Sequence, residues 1–365
     1  MATDFLYSQP VKIRFGEGCS EKLPEILSEL GSRRCVLVCG RHMKEQALCW
    51  KEANPAIAGI FAEVEANPQL AGAEQTALLA RSCGADTIIG CGGGSAMDTA
   101  KFAAAIAPGD RPAEEYYRGL AEFPACPLKI VEIPTTAGTG SEVTRVSVMS
   151  CGKEKKTINH PAFMPTAAVV DPLLTLSVSP RTTMNTGLDA MAHALEGYWS
   201  KNHQPISDLM AVECVRLVLE NLEKAWRNGN DREARSGMAL AALLGGLSFA
   251  LPKTAGSHAC SYPLSEDYHL PHGEACAFTL DSFVRINADE RLERLAVAAG
   301  LTGTEALARR IQELKELGGL HTRLSELGEV DLDKLCSDCA RHPLMANNPV
   351  AMDEAKLREM FDRLK

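Results

Sequence analysis

The fold of this chain is decided by the stretch Gly90-Cys91-Gly92-Gly93-Gly94-Ser95-Ala96-Met97-Asp98-Thr99-Ala100-Lys101. It follows the apolar run Thr87-Ile88-Ile89, which is typical of a buried strand, and it ends in residues that favour a helix. A glycine-rich turn between strand and helix lets backbone N–H groups approach a phosphate, and the helix dipole favours the anion. The stretch therefore predicts a phosphate-binding turn. The alternative is a tight turn whose glycines only permit close packing, since Ser95 stands where GxGxxG has its third glycine.

Further strands and helices lie on both sides of this stretch. Residues 36–39, 129–133 and 167–170 are short apolar runs, and residues 74–83 have helical composition. Strands that alternate with helices predict a parallel sheet with helices on its faces.

The second half of the chain has a different pattern. The 365 residues exceed the size at which one core stops growing, so we expect two domains, an α/β domain over 1–180 and an all-α domain over 181–365. The helices predicted for the second domain cover residues 185–198, 207–225, 232–250, 274–287, 291–299, 303–316 and 352–364.

Composition and charge narrow the class of protein. The net charge of −9 argues against a nucleic-acid-binding surface, and the longest apolar stretch, 238–252, is shorter than the roughly 20 residues of a membrane span. The first residues lack the charged and apolar regions of a secretion signal. Thirteen scattered cysteines suit a reducing compartment, so we expect a cytoplasmic protein in which Cys336 and Cys339, the CxxC pair, are packed thiols.

Four side chains in the second half could share a metal ion. Asp189 and His193 are four residues apart in a helix-forming run and therefore lie on one helix face, while His258 and His272 lie downstream in a region with few titratable groups. One carboxylate and three imidazoles suit ferrous iron or zinc and disfavour magnesium and calcium. The spacing alone leaves open that Asp189 and His193 are a surface pair.

A loop rich in hydroxyl groups, residues 134–144, follows the predicted strand 129–133. Open α/β sheets bind ligands at the carboxyl ends of parallel strands, so these hydroxyls could bond phosphate or ribose. Taken alone, the loop could also be a polar connection with capping residues.

Together these motifs resemble those of the iron-containing (group III, metal-dependent) alcohol dehydrogenase family. The resemblance covers nearly the whole chain and rests on FGEG at 15–18, GGGSAMDTAK at 92–101, IPTTAGTGSEVT at 133–144, GLDAMAHALEGY at 187–198, LPHG at 270–273 and NP at 348–349. It implies a Rossmann-like, dehydroquinate-synthase-like α/β domain, a helical domain and an NAD(P)-dependent oxidoreductase acting on CH–OH groups.

The resemblance also implies a role for individual residues. Asp189, His193, His258 and His272 would hold Fe²⁺ or Zn²⁺, which as a Lewis acid draws electron density from a carbonyl oxygen, so that no covalent nucleophile is needed. The residues that would contact NADP(H) or NAD(H) are Asn67, Gly93, Gly94, Ser95, Asp98, Thr135, Thr136, Thr139 and Lys155.

The cofactor choice is the first point at which this sequence departs from the family pattern. Many members have an aspartate after the second strand, which binds the adenosine ribose, whereas this chain has Gly40 followed by Arg41. An arginine can pair with a 2′-phosphate, so we expect NADP(H) to be accepted and preferred. The alternative is a solvated Arg41 and NAD binding.

Proton delivery is the second departure. Many members have a histidine four residues after the third ligand, but this chain has Tyr262, whose ordinary pKa of about 10 makes it a poor base at neutral pH. His269, close to His272, could substitute, although it could also be a surface histidine.

The substrate pocket is the third departure. Lys253 and Thr254 lie in the segment 249–257 before His258, which is mostly small and apolar in simple alcohol and diol members, and Arg145 follows the SEVT motif. The resemblance implies that these three side chains face the pocket. Cations beside a metal need an anionic partner. We therefore expect a small aldehyde with an anionic tail, such as phosphonoacetaldehyde, sulfoacetaldehyde or succinic semialdehyde, although a lysine at a helix end can also reach water.

Other functions make different demands on the sequence. A dehydrogenase of neutral short-chain alcohols or diols needs no basic pocket, and a dehydroquinate-synthase-like lyase needs many charged groups near the ligands, where this half has few. A non-catalytic binding protein predicts a lost ligand or a broken glycine turn, and neither is seen. We expect a small-molecule substrate, no nucleic acid, no membrane and a homodimer.

Overall fold

The computed structural model describes residues 4–152 and 154–365, which form two compact units. The α/β unit contains Ser8–Thr136 and Ser141–Thr175, and the helical unit contains Ala137–Gly140 and Leu176–Lys365 together with residues 4–7. The division after residue 175 lies a few residues before the expected boundary at 180, and the short segment Ala137–Gly140 belongs to the helical unit.

A parallel sheet forms the middle of the α/β unit, as predicted. In the described residues it has six strands in the order β1-β8-β5-β4-β2-β3, and every pairing is parallel. The central strands β2 and β4 are buried along their whole length, and β5 is buried from Ile130 onward, because helices cover both faces of the sheet. The sheet strands are β1 Lys12–Phe15, β2 Cys35–Gly40, β3 Ile57–Val64, β4 Thr87–Gly92, β5 Lys129–Pro134 and β8 Ala167–Val170.

Helices pack on the two faces of this sheet around separate apolar clusters. One cluster contains Leu23 and Ile26 from the first helix, and the other contains the alanine-rich helix after the glycine turn. That helix is buried almost throughout, which explains its small side chains. The helices of this unit are α1 Leu23–Glu29, α2 Lys44–Ala53, α3 Leu70–Cys83, α4 Gly94–Ile106 and α5 Ala113–Arg118.

Several strands were not predicted from the sequence. β1 and β3 lie at the edges of the sheet, and β6 Val146–Cys151 pairs with β7 Glu154–Asn159 in an antiparallel hairpin of register Val146↔Asn159. The sequence of β7 is polar on both faces and exposed or half-buried along its length, so it lacks the alternation that identifies a strand.

The helical unit has one continuous apolar core, and the prediction of a helical second half is confirmed. Among the described residues, no helix combines the length and the apolar character that crossing a bilayer requires. The helices are α6 Pro180–Trp199, α7 Pro205–Arg227, α8 Arg232–Phe249, α9 Gly256–Glu266, α10 His272–Ile286, α11 Glu290–Ala298, α12 Thr304–Leu317, α13 Leu332–Arg341 and α14 Glu354–Asp362.

Candidate metal centre and cofactor-binding turn

Helix α6 supplies the first half of the candidate metal centre. Ser179 caps its N-terminus by accepting a hydrogen bond from the Thr182 N–H, and Pro180 occupies the first turn, where its missing N–H costs nothing. Asp189, His193 and Glu196 are spaced by four and three residues and therefore lie on one face, and all three are buried.

The structure brings the four predicted ligand residues together around one oxygen. Asp189 Oδ1 lies 3.9 Å from His193 Nδ1, 3.8 Å from His258 Nε2 and 3.8 Å from His272 Nε2. These separations are about twice a metal–ligand bond of roughly 2.0–2.2 Å, so one ion between the donors could reach all of them.

The hydrogen bonding of these atoms tests whether a cation fits there. Asp189 Oδ1, His193 Nδ1 and His258 Nε2 are buried and accept or donate no hydrogen bond within the described part of the chain. Leaving a buried polar atom unpaired costs about 1–3 kcal/mol, and both of these imidazole nitrogens lie within 4 Å of the unpaired carboxylate oxygen. A divalent cation would satisfy them together, and the donor set of one oxygen and three nitrogens suits iron or zinc.

Glu196 fixes the orientation of His258 from behind. Its Oε1 accepts hydrogen bonds from the backbone N–H groups of Ser257 at 2.6 Å and His258 at 3.2 Å, and its Oε2 accepts from His258 Nδ1. Nε2 of His258 is thereby directed toward Asp189. Burial alone lowers the pKa of His258, but the Cys276 sulfur and the Glu196 carboxylate outweigh burial and raise that pKa well above its ordinary value. Sequence reasoning missed this role, although the helical spacing from Asp189 could have revealed it.

His193 is held by stacking. Its ring lies parallel to Phe249, with centroids 4.2 Å apart and an interplanar angle of 13°. Burial, and then the neighbouring His258 and His272, lower the pKa of His193 well below its ordinary value. The imidazole is therefore neutral at physiological pH, which is the form that binds metals.

His272 reaches Asp189 because a glycine follows it. A Cβ at Gly273 would collide with the carbonyl oxygen of Asn185 and would lie 3.2 Å from Asp189 Cβ, so only glycine allows the first turn of α10 to approach α6 this closely. The side chain of His272 is itself 42% exposed, unlike the other ligand residues.

Cys276, which sequence reasoning did not select, also belongs to this cluster. One ligand atom from each of Asp189, His258, His272 and Cys276 lies within 4.8 Å of the others. Cys276 is buried on α10, one helical turn after His272, and the same four-residue spacing that identified Asp189 and His193 could have found it.

The two predicted proton carriers lie in different surroundings. Tyr262 is half-buried on α9, four residues after His258, and its ring stacks on His342 with centroids 4.3 Å apart. Burial and His258 lower the pKa of His342. His269 is exposed, in the loop before α10, with a left-handed φ of 58°.

The three predicted substrate residues lie in loops or turns. Lys253 is exposed in the turn between α8 and α9, with φ 66°, and its N–H donates to Phe249 at 2.8 Å. Thr254 is buried, and its carbonyl accepts from Asn347 Nδ2 at 2.8 Å. Arg145, in the α/β unit, is exposed immediately before β6.

In the α/β unit, the glycine stretch forms the turn from β4 into α4. Gly92 has φ 154°, and a Cβ there would lie 2.8 Å from Ala96 Cβ. Gly93 is the N-cap of α4, so no side chain caps the helix. The backbone N–H groups at the helix start can serve a phosphate, apart from that of Ala96, which donates to the Gly93 carbonyl at 3.1 Å. Gly94 and Ser95 follow as the first helical residues, and Ser95 Oγ donates to the carbonyl of Ala66, the neighbour of Asn67.

Other predicted cofactor residues surround this turn. The Thr135 N–H donates to the Gly92 carbonyl at 2.9 Å, and Thr136 lies beside Gly93. Asp98 is buried, and it accepts from Ser141 Oγ at 2.9 Å and from the Val148 N–H at 3.0 Å. Both Asp98 oxygens thus accept hydrogen bonds from the protein itself. This indicates that Asp98 holds the residues around the turn in place rather than binding the cofactor directly.

The remaining cofactor candidates lie on other segments of the chain. Burial raises the pKa of the Asp98 carboxyl, while Lys101 and, more weakly, Lys155, which is half-buried on β7, act in the opposite direction. Thr139, in the segment of the loop assigned to the helical unit, is half-buried. Gly40 ends β2, and the Arg41 guanidinium that follows donates to Glu63 at 2.6 Å, with the two side chains 79% and 49% exposed.

Comparison with known proteins agrees with this geometry. Residues 10–172 match the iron-containing alcohol dehydrogenase family, and residues 183–364 match its C-terminal domain. A long-chain-alcohol dehydrogenase of Geobacillus thermodenitrificans is 34% identical over 95% of this chain and 93% of its own length. A sulfoacetaldehyde reductase of Bilophila wadsworthia is 34% identical over 66% of this chain and 63% of its own. The crystal structure of sulfoacetaldehyde reductase from Bifidobacterium kashiwanohense in complex with NAD⁺ is 37% identical and covers 100% of this chain and 99% of that one, with a TM-score of 0.95.

A protein with this fold and site is a dinucleotide- and metal-dependent oxidoreductase. The chain belongs to the iron-containing (group III) alcohol dehydrogenase family. It is an NAD-linked alcohol dehydrogenase or aldehyde reductase that acts on CH–OH groups of small molecules.

Proposed function

We propose that this enzyme reduces a small aldehyde with an anionic tail to the primary alcohol. The nicotinamide cofactor gives a hydride to the carbonyl carbon, and a proton completes the alcohol. The observation that carries the anionic tail is Lys253, an exposed cation in the turn that leads into the ligand-bearing helix α9.

Asp189, His193, His258 and His272 are the proposed holders of the ion, Fe²⁺ or Zn²⁺. The ion, when bound, supplies a Lewis acid that polarises the carbonyl. Glu196 orients His258, and Phe249 fixes the plane of the His193 ring. We assign proton delivery to the Tyr262 phenol, with His269 as the alternative. If Tyr262 carries the proton, Tyr262→Phe should lower kcat more than it changes KM, and His269→Gln should leave kcat unchanged. If His269 carries the proton, His269→Gln should be the variant that lowers kcat.

The glycine turn is the proposed binding site of the cofactor pyrophosphate, at the uncapped start of α4. We propose that NADP(H) is preferred. Among the described residues, Arg41 pairs with Glu63 in an exposed ion pair, and such a pair is worth about 0–1 kcal/mol. Exchanging that partner for a 2′-phosphate is therefore inexpensive. A preference for NADPH would also favour the reductive direction in the cell.

The names of two relatives support the anionic substrate. Proteins from Bilophila wadsworthia and Bifidobacterium kashiwanohense are called sulfoacetaldehyde reductases, and their substrate carries a sulfonate. Lys253, with Thr254 beside it, supplies a cation and a polar group for such a tail, and a role for Arg145 of the α/β unit stays a prediction from the sequence. Phosphonoacetaldehyde and succinic semialdehyde present the same charge at a similar length, so they belong in the same test.

The experiment is a comparison of kcat/KM for metal-reconstituted enzyme with sulfoacetaldehyde, phosphonoacetaldehyde, succinic semialdehyde and propanal, each with NADPH and NADH. Lys253→Ala should raise KM for the preferred anionic aldehyde by about tenfold, the worth of one charge-assisted hydrogen bond, and should leave propanal unaffected. Lys224→Ala, at an exposed lysine of α7, is the matched control. Equal effects on both substrates would refute the role of Lys253.

Other outcomes of the same panel identify other functions. Turnover of neutral aldehydes alone would indicate a dehydrogenase of short-chain alcohols or diols. No oxidation of either cofactor with any aldehyde would favour the dehydroquinate-synthase-like lyase. We also propose a cytoplasmic homodimer, which cell fractionation and light scattering would test.

A further inference from the structure

The sulfur of Cys276 lies within the candidate metal centre. Its Sγ is 3.7 Å from His272 Nε2, and it belongs to the compact group with Asp189 and His258 in which all ligand atoms lie within 4.8 Å. His193 Nδ1 lies 3.9 Å from Asp189 Oδ1 but is not in this compact group, whose donors are one oxygen, two nitrogens and one sulfur.

Two neighbouring atoms indicate independently that a ligand belongs at this point. Asp189 is 2% exposed and His258 is 5% exposed, and Asp189 Oδ1 and His258 Nε2 have no hydrogen-bond partner among the described residues. A packed thiol would not satisfy a carboxylate oxygen and an imidazole nitrogen together, whereas a cation held by all of these donors would.

Cys214 shows what a merely structural thiol looks like in the same unit. Its Sγ is buried and contacts the backbone carbonyl of Ala190 at 3.5 Å, which is an ordinary hydrogen bond of a packed cysteine. The Cys276 sulfur instead has a ligand imidazole as its neighbour, since its Sγ lies within hydrogen-bond distance of His272 Nε2 rather than of a backbone carbonyl.

We propose that Cys276 is a thiolate ligand of the metal ion in this enzyme and that it shifts the preference of the site from iron toward zinc. As the metal–sulfur bond forms, the S–H bond breaks and its proton is released to solvent, so the ion gains one anionic ligand. Thiolate is a softer ligand than carboxylate or imidazole, and zinc and cobalt accept it readily in tetrahedral sites. This inference rests on the proposed metal-dependent function and adds the identity of one ligand.

The test uses Co²⁺ as a spectroscopic probe of the full-length protein after removal of its metal. The wild type should show a thiolate-to-cobalt charge-transfer band in the near ultraviolet. Cys276→Ser should lose this band while still binding Co²⁺, and Cys214→Ser should keep it. In anaerobic competition for Zn²⁺ and Fe²⁺, the ratio of bound zinc to bound iron should fall by about tenfold or more in Cys276→Ser and stay unchanged in Cys214→Ser.

The outcomes separate this inference from the proposed function. Co²⁺ bound by the wild type without a charge-transfer band would overturn the thiolate ligand and leave the metal-dependent function intact, and this result needs no variant to fold. A band that persists in Cys276→Ser, or an unchanged metal ratio, would also overturn it. A wild type that binds neither Co²⁺ nor Zn²⁺ would overturn both.

Discussion

The Glu196→Gln substitution tests how the metal centre is held in place. The Glu196 carboxylate accepts three hydrogen bonds, two from backbone N–H groups at the start of α9 and one from His258 Nδ1. Glutamine has nearly the same size but only one acceptor oxygen, and its NH₂ group would face one of these donors. The substitution therefore removes a negative charge and leaves at least one buried donor without an acceptor.

The magnitude follows from these contacts. An unsatisfied buried donor costs about 1–3 kcal/mol, and removing the partner of a ligand histidine weakens metal binding by about 10–100-fold. That range corresponds to about 1.4–2.8 kcal/mol, so the two figures agree. We expect the loss in metal affinity because Nε2 of His258 is aimed at the ion only while Nδ1 is held.

Zinc affinity would be measured by competition with a chelator near neutral pH, and thermal unfolding of the metal-free protein would report stability separately. Glu213→Gln is the control, since Glu213 is a solvent-accessible glutamate on α7 that pairs with Arg216. An unchanged zinc affinity in Glu196→Gln, with Glu213→Gln also unchanged, would refute the proposed role of the carboxylate.

Three further changes have defined outcomes. Glu132 on β5 is fully buried, neither carboxyl oxygen has a partner among the described residues, and burial raises its pKa well above the ordinary value. The folded state thus holds a proton that the unfolded state releases, so this group's stabilising effect is complete below the ordinary glutamate pKa and is lost as pH rises through the raised pKa. Glu132→Gln should make stability less dependent on pH and should raise the free energy of unfolding by about 1–3 kcal/mol above neutral pH. Urea unfolding would measure this free energy, and a decrease in it would mean that Glu132 is ionised in the folded protein. Gly273→Ala should weaken zinc binding and destabilise the fold by about 1–3 kcal/mol through the collision with Asn185, and normal values of both in calorimetry would contradict that close approach. Arg41→Ala should lower kcat/KM for NADPH by about tenfold or more and spare NADH, whereas equal losses would show that Arg41 does not contact a 2′-phosphate.

Local patterns were the features that the sequence predicted well. The glycine turn lies between β4 and α4 because an apolar run, three glycines and a helix-forming run are contiguous in the chain. The spacing of Asp189 and His193 is likewise a property of one helix, and the parallel sheet follows from the order of apolar runs.

Features that depend on contacts between distant segments were missed. Helix α9, which carries His258, is short and contains Pro263, so its sequence does not predict a helix. The β6–β7 hairpin includes a polar strand held by main-chain pairing. Glu196 and Cys276 acquire their roles from residues far away in the sequence, His258 for the former and both Asp189 and His258 for the latter.

The metal centre depends on α6 for more than its two ligands. Asp189 and His193 come from this helix directly, and Glu196, one turn further on, binds the backbone at the start of α9 and thereby sets the position of His258. The Asn185 carbonyl, one turn before Asp189, lies so close to Gly273 that it sets the distance of α10. One face of a single helix thus positions the four ligands predicted from the sequence. Because a one-residue shift along a helix rotates every side chain by about 100°, the register of α6 is the structural variable to which the site is most sensitive.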